Sequence, residues 1–382
     1  MRKKNIGILL GISLLQGMCF YSPIATLYRQ AAGVGLFEMS VIESVSFVLS
    51  LLLEAPWGIA AERIGYKRTM VVCTGLFFLS KVVFWRAAGF GMFLLERVLL
   101  AVVIAGLSGV DASILWLSAG EEKAQKVFGL YSACGHAGMI FASLVCAAAV
   151  GERYRLAGFL TVISYGASAL LACFLDEVKA PARTKERSTA AFRRNLTRFF
   201  RTRGLLPLVL CGILSGEVFR LIGVFYNQLQ YVRCGMGERA IALVYMAETL
   251  VMLCGALSSA LTARLGRRRT GLLLLGAMAA CCLTLALTES AALSIGAMLA
   301  LGAASALYGP LSSVMENRLV TGGERATALS VNALVYDSVA IPLGLVMGRL
   351  VESSLPGMFL LSAACCLGAM GLFGRAERCA TL

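Results

Sequence analysis

Long apolar runs dominate this sequence, and each of them is able to cross a lipid bilayer as a helix. A spanning helix needs about 20 apolar residues, and the 382-residue chain holds twelve such runs. Only 15% of its residues are charged, against about 25% in soluble domains. In lipid, every backbone polar group must be hydrogen-bonded within the protein, and a helix satisfies its own. The runs therefore predict an all-α membrane protein with twelve transmembrane helices, α1 to α12 in chain order.

The predicted helices fall into two groups of six on either side of a basic segment. The N-terminal half covers residues 1–175, a basic cytoplasmic linker covers 176–204, and the C-terminal half covers 205–382. The linker forms either an amphipathic helix on the membrane surface or an ordinary solvated connection. The helices are predicted near residues 6–28, 40–61, 69–88, 92–117, 127–150 and 157–175 in the first half, and near 205–231, 240–263, 271–287, 291–315, 326–350 and 356–373 in the second.

Lysine and arginine are unevenly distributed between the two ends of these helices. With the amino terminus placed inside the cell, 25 of the 35 Lys and Arg fall in cytoplasmic segments. Because positively charged loops stay on the cytoplasmic side, we expect a multi-pass protein of the cytoplasmic membrane with both termini in the cytoplasm. The net charge of +14 is then mainly a topology signal, and we expect no nucleic-acid partner.

The residues that usually build catalytic and metal sites form no such pattern here. The sequence contains one histidine, His136, and 13 cysteines without a C-x-x-C pair. Most of the cysteines lie in apolar runs, where cysteine packs as a small hydrophobe. Neither a G-x-S-x-G elbow nor a G-x-x-x-x-G-K-(S/T) phosphate loop occurs. We therefore expect no metal, no other cofactor, no enzymatic activity and no ATP-driven step.

Two short motifs recur in corresponding places of the two halves. The loop segment Arg63–Thr69 has a degenerate copy at Arg264–Thr270, and both read Arg-x-Gly, a basic residue, then Arg-Thr at the end. Gly7-x-x-x-Gly11 in α1 is matched by Gly212-x-x-x-Gly216 in α7, and small residues four apart let helices approach closely. An internal repeat in so apolar a chain indicates two homologous membrane halves.

The first copy of the loop motif resembles a family signature. Gly58-Ile-Ala-Ala-Glu62-Arg63-Ile-Gly65-Tyr-Lys67-Arg68 fits the pattern G-x-x-x-(D/E)-(R/K)-x-G-x-(R/K)-(R/K). The pattern is similar to the loop between helices 2 and 3 of the major facilitator superfamily of secondary transporters. This resemblance implies two halves that rock about a central site, with Glu62 and Arg63 in a latch that closes on the cytoplasmic side. Arg325, at the start of α11, is the candidate partner of that latch.

Ionisable and polar residues inside the apolar runs are the candidates for a functional site. A charge at the bilayer centre costs roughly 2.5–3.5 kcal/mol on insertion scales, so such residues face the protein interior or water. Transporter sites are expected near the midplane, and a carboxylate in a dry site can take up and release a proton. We predict that the substrate or proton site includes Glu217, Asp337, Arg220, His136, Gln16, Glu54 and Asp111.

Several of these residues have a purely structural alternative. Glu217 and Arg220 are three residues apart on α7, so they can neutralise each other as a local pair. Lys81 on α3 favours a structural salt bridge, with Glu54 or Asp111 as its acid. The single histidine alternatively serves as a hydrogen-bonded packing residue.

Secondary active transport by alternating access is the predicted function, and protons are the simplest energy source. Because buried carboxylates suit cationic amphiphiles, we favour proton-coupled efflux of drug-like compounds by a bacterial, drug-export-like antiporter. A proton-coupled importer of a small metabolite is the alternative, and a sensor or assembly protein that kept the fold without transport is another. The expected partners are a small-molecule substrate, protons and membrane lipids, and we expect a monomer.

Overall fold

Helices make up almost the whole of the computed structural model, which describes residues 3–107, 110–178, 204–319 and 325–380. No strand occurs among these residues. Eleven helical segments are long and apolar enough to cross a membrane, and Arg325–Ser353 is a further helix of 29 residues. The prediction of an all-α protein with twelve long helices is confirmed.

The helices of the first half match their predicted positions, although α1 and α5 are irregular. Their bounds are Lys3–Gly17 and, after a break, Ala25–Ala31 for α1; Leu36–Ile64 for α2; Tyr66–Arg86 for α3; Gly89–Leu107 and Val110–Ala119 for α4; Glu121–Val145 with a π-helical turn at Cys146–Val150 for α5; and Tyr154–Cys173 for α6.

The helices of the second half are likewise close to their predicted positions. Their bounds are Leu205–Leu221, a π-helical turn at Ile222–Tyr226 and Asn227–Arg233 for α7; Glu238–Val251, a 3-10 segment at Met252–Leu257 and Ser258–Leu265 for α8; Arg267–Leu287 for α9; Ala291–Leu319 for α10; Arg325–Ser353 for α11; and Leu355–Ala380 for α12. The predicted linker lies mostly outside the described residues.

Contacts divide the described chain into two compact units. Unit 1 contains the described residues up to 178 together with Gly237–Thr249, the first half of α8. Unit 2 contains the described residues of 204–236 and those from Leu250 onward.

One of the hydrophobic core clusters of unit 1 contains a group of packed aromatic side chains. The rings of Tyr21 and Phe84 are stacked with centroids 3.9 Å apart, and Tyr28 and Phe93 pack around them. Offset-stacked and edge-to-face ring pairs contribute about 0.5–1.5 kcal/mol beyond the area they bury. This cluster ties α1, α3 and α4 together beside the residues that form the candidate site.

Glycine makes the sharp turn after α2 and its copy after α8 possible. Gly65 has φ 97° and ψ 151°, and Gly266 has φ 79° and ψ 152°. This region of backbone space is open essentially to glycine alone. Because both positions lie in this region, both copies of the loop motif keep a glycine after Arg-x.

Candidate functional site

Helix α1 covers its predicted span of residues 6–28, and it is interrupted in the middle. Between Gly17 and Ser22 the backbone leaves the helix, and side chains of α6 bind the released groups. The Phe20 N–H donates to Thr161 Oγ1 at 3.0 Å, and Ser164 Oγ donates to the Met18 carbonyl at 2.9 Å. Interrupted helices of this kind form substrate and ion sites in transporters.

A close approach of α5 explains why the break starts at Gly17. A Cβ atom on Gly17 would lie 2.2 Å from the carbonyl oxygen of Gly135, and one on Gly138 would lie 2.2 Å from that of Leu14. His136 stands between the two α5 glycines, half-buried, with Nδ1 2.8 Å from the Ser132 carbonyl of its own helix. The structure therefore gives His136 a hydrogen bond typical of a packing residue.

Gln16, the residue just before Gly17, joins α1 to α6. Its Nε2 donates to Ser168 Oγ at 3.2 Å, and its backbone carbonyl accepts a hydrogen bond from Tyr165 Oη at 2.7 Å. Gln16 thus belongs to the hydrogen-bonded frame around the α1 break.

Asp111 lies in the described segment Val110–Ala119 of α4. Its Oδ1 accepts a hydrogen bond from the Ala112 N–H at 2.7 Å, and its Oδ2 accepts one from Tyr131 Oη of α5 at 3.1 Å. The side chain of Glu54, the other acid expected in this region, lies outside the described side chains.

Among the described residues of unit 1, two ion pairs lie inside the apolar runs, and none of their four members belongs to the predicted site. Lys81 Nζ lies 3.1 Å from Glu96 Oε1, and both side chains are buried. Arg97 binds Glu43 on α2. Lys81 is in an ion pair, as predicted, but its partner is Glu96 of α4. The adjacent charges Glu96 and Arg97 inside an apolar run were the signal available in the sequence.

Unit 2 contains a second charged cluster, where α7 meets α11. Glu217 is fully buried, and both of its oxygens accept hydrogen bonds from Arg220, at 2.9 Å from Nε and 2.5 Å from Nη2. Tyr336 Oη donates to Glu217 Oε2 at 2.9 Å. The side chain of Arg220 stays 25% exposed. Asp337, the next residue on α11, is half-buried.

The π-helical turn of α7 follows this cluster directly, and its position matches the break in α1. The numbering offset that relates Gly7 to Gly212 also relates the break to the turn Ile222–Tyr226. The same offset places Phe20-Tyr21 on Phe225-Tyr226. Single π turns within helices are frequent at functional sites. Both repeats therefore carry an irregularity at corresponding positions of the sequence. In the second repeat, Asn227 and Gln228 follow it directly.

The signature loop is held by a residue that sequence analysis missed. Glu177, just after α6, accepts a hydrogen bond from the Lys67 N–H at 3.2 Å, and its carboxylate lies 3.0 Å from where a Cβ of Gly65 would be. Arg63 and Arg68 are exposed. The side chains of Glu62 and Arg325 lie outside those described, and so does the surface around Gly58.

These features describe a polytopic helical membrane protein with an internal repeat, irregular helices and buried ion pairs. Internal repeats and irregular helices are typical of the class of secondary transporters. A family model described as the Major Facilitator Superfamily matches residues 6–345. The chain belongs to this superfamily, and it is a transporter rather than an enzyme.

Comparison with solved structures supports the same fold. The nucleoside transporter NupG superposes with a TM-score of 0.80 at 14% identity, covering 98% of this chain and 99% of that one. A bacterial homolog of the human lysosomal transporter Spinster, inward-facing and unoccupied, gives 0.77 at 16% identity, covering 99% and 98%. A D-xylose-proton symporter gives 0.71 at 14% identity, covering 96% and 97%. No curated protein matches the sequence.

Proposed function

We propose that this protein is a proton-coupled transporter that carries a small polar solute across the cytoplasmic membrane into the cell. The observation that carries this proposal is the Glu217–Arg220–Tyr336 cluster beside the π turn of α7. A guanidinium offers several donors in a fixed planar fork. With its side chain 25% exposed, Arg220 can donate to the hydroxyl or acidic oxygens of a solute while Glu217 holds its orientation.

The pairing of the buried acids favours a polar solute over a lipophilic cation. A cationic amphiphile needs a carboxylate that the protein does not already neutralise. Glu217, Glu43 and Glu96 each hold a cation of the protein itself. Two structural neighbours, a nucleoside transporter and a D-xylose-proton symporter, add support for a polar solute and for symport.

Efflux of drug-like cations is the second candidate function, and Asp337, which also has a partner within the protein, is the acid assigned to it. This carboxylate is half-buried on α11, one residue beyond the tyrosine that bonds Glu217. An antiporter would exchange a bound cation there for a proton.

The domain motion and the latch that we propose are based on the family resemblance, and the topology is based on the distribution of Lys and Arg. The halves, residues 1–175 and 205–382, would rock about a central site, with residues 176–204 as a cytoplasmic linker. Glu62 and Arg63 would latch against Arg325 on the cytoplasmic side. We propose a monomer in contact with membrane lipids, with both termini in the cytoplasm.

Solute flux in proteoliposomes tests the proposal. The full-length protein would be reconstituted and offered labelled nucleosides, pentoses and the lipophilic cation tetraphenylphosphonium, with and without an imposed proton gradient. We expect accumulation of a nucleoside or pentose in the direction of proton flow, and its loss in Arg220→Lys, which cannot reproduce the two-point contact with Glu217.

Arg233→Lys is the matched control, since Arg233 lies on the same helix and pairs with Glu289, whose side chain is 72% exposed. The control should transport normally. Movement of tetraphenylphosphonium against the proton flow, abolished by Asp337→Asn, would instead establish the efflux function and refute import of a polar solute.

A further inference from the structure

The second copy of the loop motif, at the start of α9, carries a concentration of positive charge. It contains four arginines with exposed side chains, Arg264, Arg267, Arg268 and Arg269. None of the four forms an ion pair or a side-chain hydrogen bond with another residue in the described part of the chain. Because like charges repel one another, a negatively charged group bound at this place would stabilise the end of unit 2.

In the first copy, an acid of the protein itself occupies the corresponding place. The carboxylate of Glu177 accepts a hydrogen bond from the Lys67 N–H at 3.2 Å and lies 3.0 Å from where a Cβ of Gly65 would be. The backbone N–H groups at the start of a helix attract anions, because they are unpaired and the helix dipole is positive there. The start of α3 is therefore an anion site that the chain fills with its own carboxylate.

The second copy has the same turn without the acid. Thr69 and Thr270 each donate a hydrogen bond from Oγ1 to the carbonyl oxygen of the motif glycine, at 2.9 Å in both copies. Apart from its chain neighbours, no group of the described chain lies within 4 Å of where a Cβ of Gly266 would be. The start of α9 thus offers open space where the first copy holds a carboxylate.

Helix α12 packs on α9 in the way that α6 packs on α3. A Cβ on Gly166 of α6 would lie 3.1 Å from the ring of Phe78 of α3, and a Cβ on Gly276 of α9 would lie 3.7 Å from Met370 Sδ of α12. Gly266 follows Gly65 by 201 residues. Shifting the α3–α6 contact by this offset places it within one helical turn of the α9–α12 contact, so the two pairs of helices have equivalent registers.

An arginine stands at the position that corresponds to Glu177. The same offset of 201 residues leads from Glu177 to Arg378, which is exposed in the last turn of α12. Arg378 and its neighbour Glu377 already have partners within the protein. The second repeat therefore has a basic residue where the first repeat supplies the acid for its loop.

The rule that basic loops stay in the cytoplasm does not explain this difference, because the first copy follows the same rule with an acid beside its cations. In the predicted topology, α9 starts at the cytoplasmic leaflet, whose anionic lipids attract clusters of basic residues. Exposed apolar side chains adjoin the arginines: Leu265 follows Arg264, and Leu273, one turn after Arg269, is 60% exposed. Cations for a phosphate group and apolar surface for acyl chains are thus side by side.

We propose that the second copy of the loop motif, Arg264–Thr270, binds the phosphate group of an anionic phospholipid. The guanidinium groups and the N–H groups at the start of α9 donate hydrogen bonds to the phosphate oxygens, and the acyl chains lie along the exposed leucines of α8 and α9. The lipid supplies the negative charge that Glu177 supplies in the first copy. The inference goes beyond the proposed transport and does not depend on the solute.

Binding of radiolabelled phosphatidylglycerol to the full-length protein in nonionic detergent tests the proposal. We expect saturable binding that unlabelled phosphatidylglycerol competes for and zwitterionic phosphatidylcholine does not. The double variant Arg268→Gln with Arg269→Gln should bind the lipid roughly 25-fold more weakly, because each basic residue near an anionic lipid contributes about fivefold in affinity.

The matched control is Lys67→Gln with Arg68→Gln, which removes two charges at the equivalent positions of the first copy and should bind the lipid as the wild type does. Arg378→Glu is a second, independent variant. It places an acid at the position of Glu177, so a carboxylate of the chain should compete with the lipid and weaken its binding. All three variants change the net charge by the same amount, so a difference between them reports position.

Several outcomes would overturn the proposal. Equal weakening in the two double variants would show that the lipid responds to the net charge of the protein and not to this site. Displacement of the lipid by inorganic phosphate would identify a site for a free anion instead, and a wild-type protein without saturable binding would refute the site. If the Arg268 and Arg269 variant fails to fold, Arg378→Glu decides, and unchanged binding in that variant would refute the site as well.

Discussion

At the scale of single residues, the charged side chains inside the helices are held by specific partners. Glu217 binds Arg220 three residues away and also accepts a hydrogen bond from Tyr336 on another helix. The local pair was foreseeable from sequence spacing, while the contribution of Tyr336 was not. The partner from α11 turns a pair on one helix into a connection between α7 and α11.

Glu217→Gln should lower stability more than removal of both members of its ion pair. The single change leaves Arg220 without its counter-charge and should lower the free energy of unfolding by about 3 kcal/mol. This value is at the low end of the usual range because the arginine side chain is 25% exposed. The double variant Glu217→Leu with Arg220→Leu should recover most of this loss. Thermal unfolding in detergent measures both, and equal losses would show that the pair does not behave as a coupled unit.

At the scale of elements, glycines decide where helices approach and where they turn. Gly17 and Gly138 let α1 and α5 meet backbone to backbone, next to the break in α1. This contact explains why a helix that reads as continuous in the sequence is interrupted in the structure.

Gly138→Ala should separate these two helices. Its new Cβ would lie 2.2 Å from the Leu14 carbonyl oxygen, and this is backbone that cannot rotate away. Overpacking of this kind typically costs 1–3 kcal/mol, visible as a lower midpoint of thermal unfolding.

Gly129→Ala is the matched control on the same helix, because no atom lies within 4 Å of its added Cβ. Alanine in a helix interior is favoured over glycine by about 1 kcal/mol, so this variant should unfold at the same temperature or higher. Equal destabilisation by both variants would contradict the close α1–α5 contact.

At the scale of the whole molecule, the internal repeat governs the architecture. In α1 and α7, the Gly-x-x-x-Gly motifs, the Phe-Tyr pairs and the two helix irregularities share one offset along the chain. The charged clusters do not follow the repeat: position 12, which corresponds to Glu217, is isoleucine, and position 15, which corresponds to Arg220, is leucine. The two halves thus share motif positions and helix irregularities, and they differ in the charged residues that their helices carry.

The distribution of Lys and Arg predicts which side of the membrane each loop faces. In a variant without native cysteines, Arg153→Cys should react with an impermeant maleimide added outside intact cells, and Arg267→Cys only after the membrane is opened. The loop after α5 lies outside and the loop after α8 inside in the predicted topology. The reverse labelling pattern would overturn the cytoplasmic placement of both termini.

The sequence by itself determined the all-α fold, the number of long helices and the family. Those properties depend on run length and on a local motif, and a helix in lipid satisfies its backbone within its own run. Only the tertiary structure decided that Lys81 meets Glu96, that Tyr336 joins Glu217 and that α1 is broken beside α5. Each of these depends on how helices rotate and how deeply they lie against one another, which the spacing of residues along one helix does not fix.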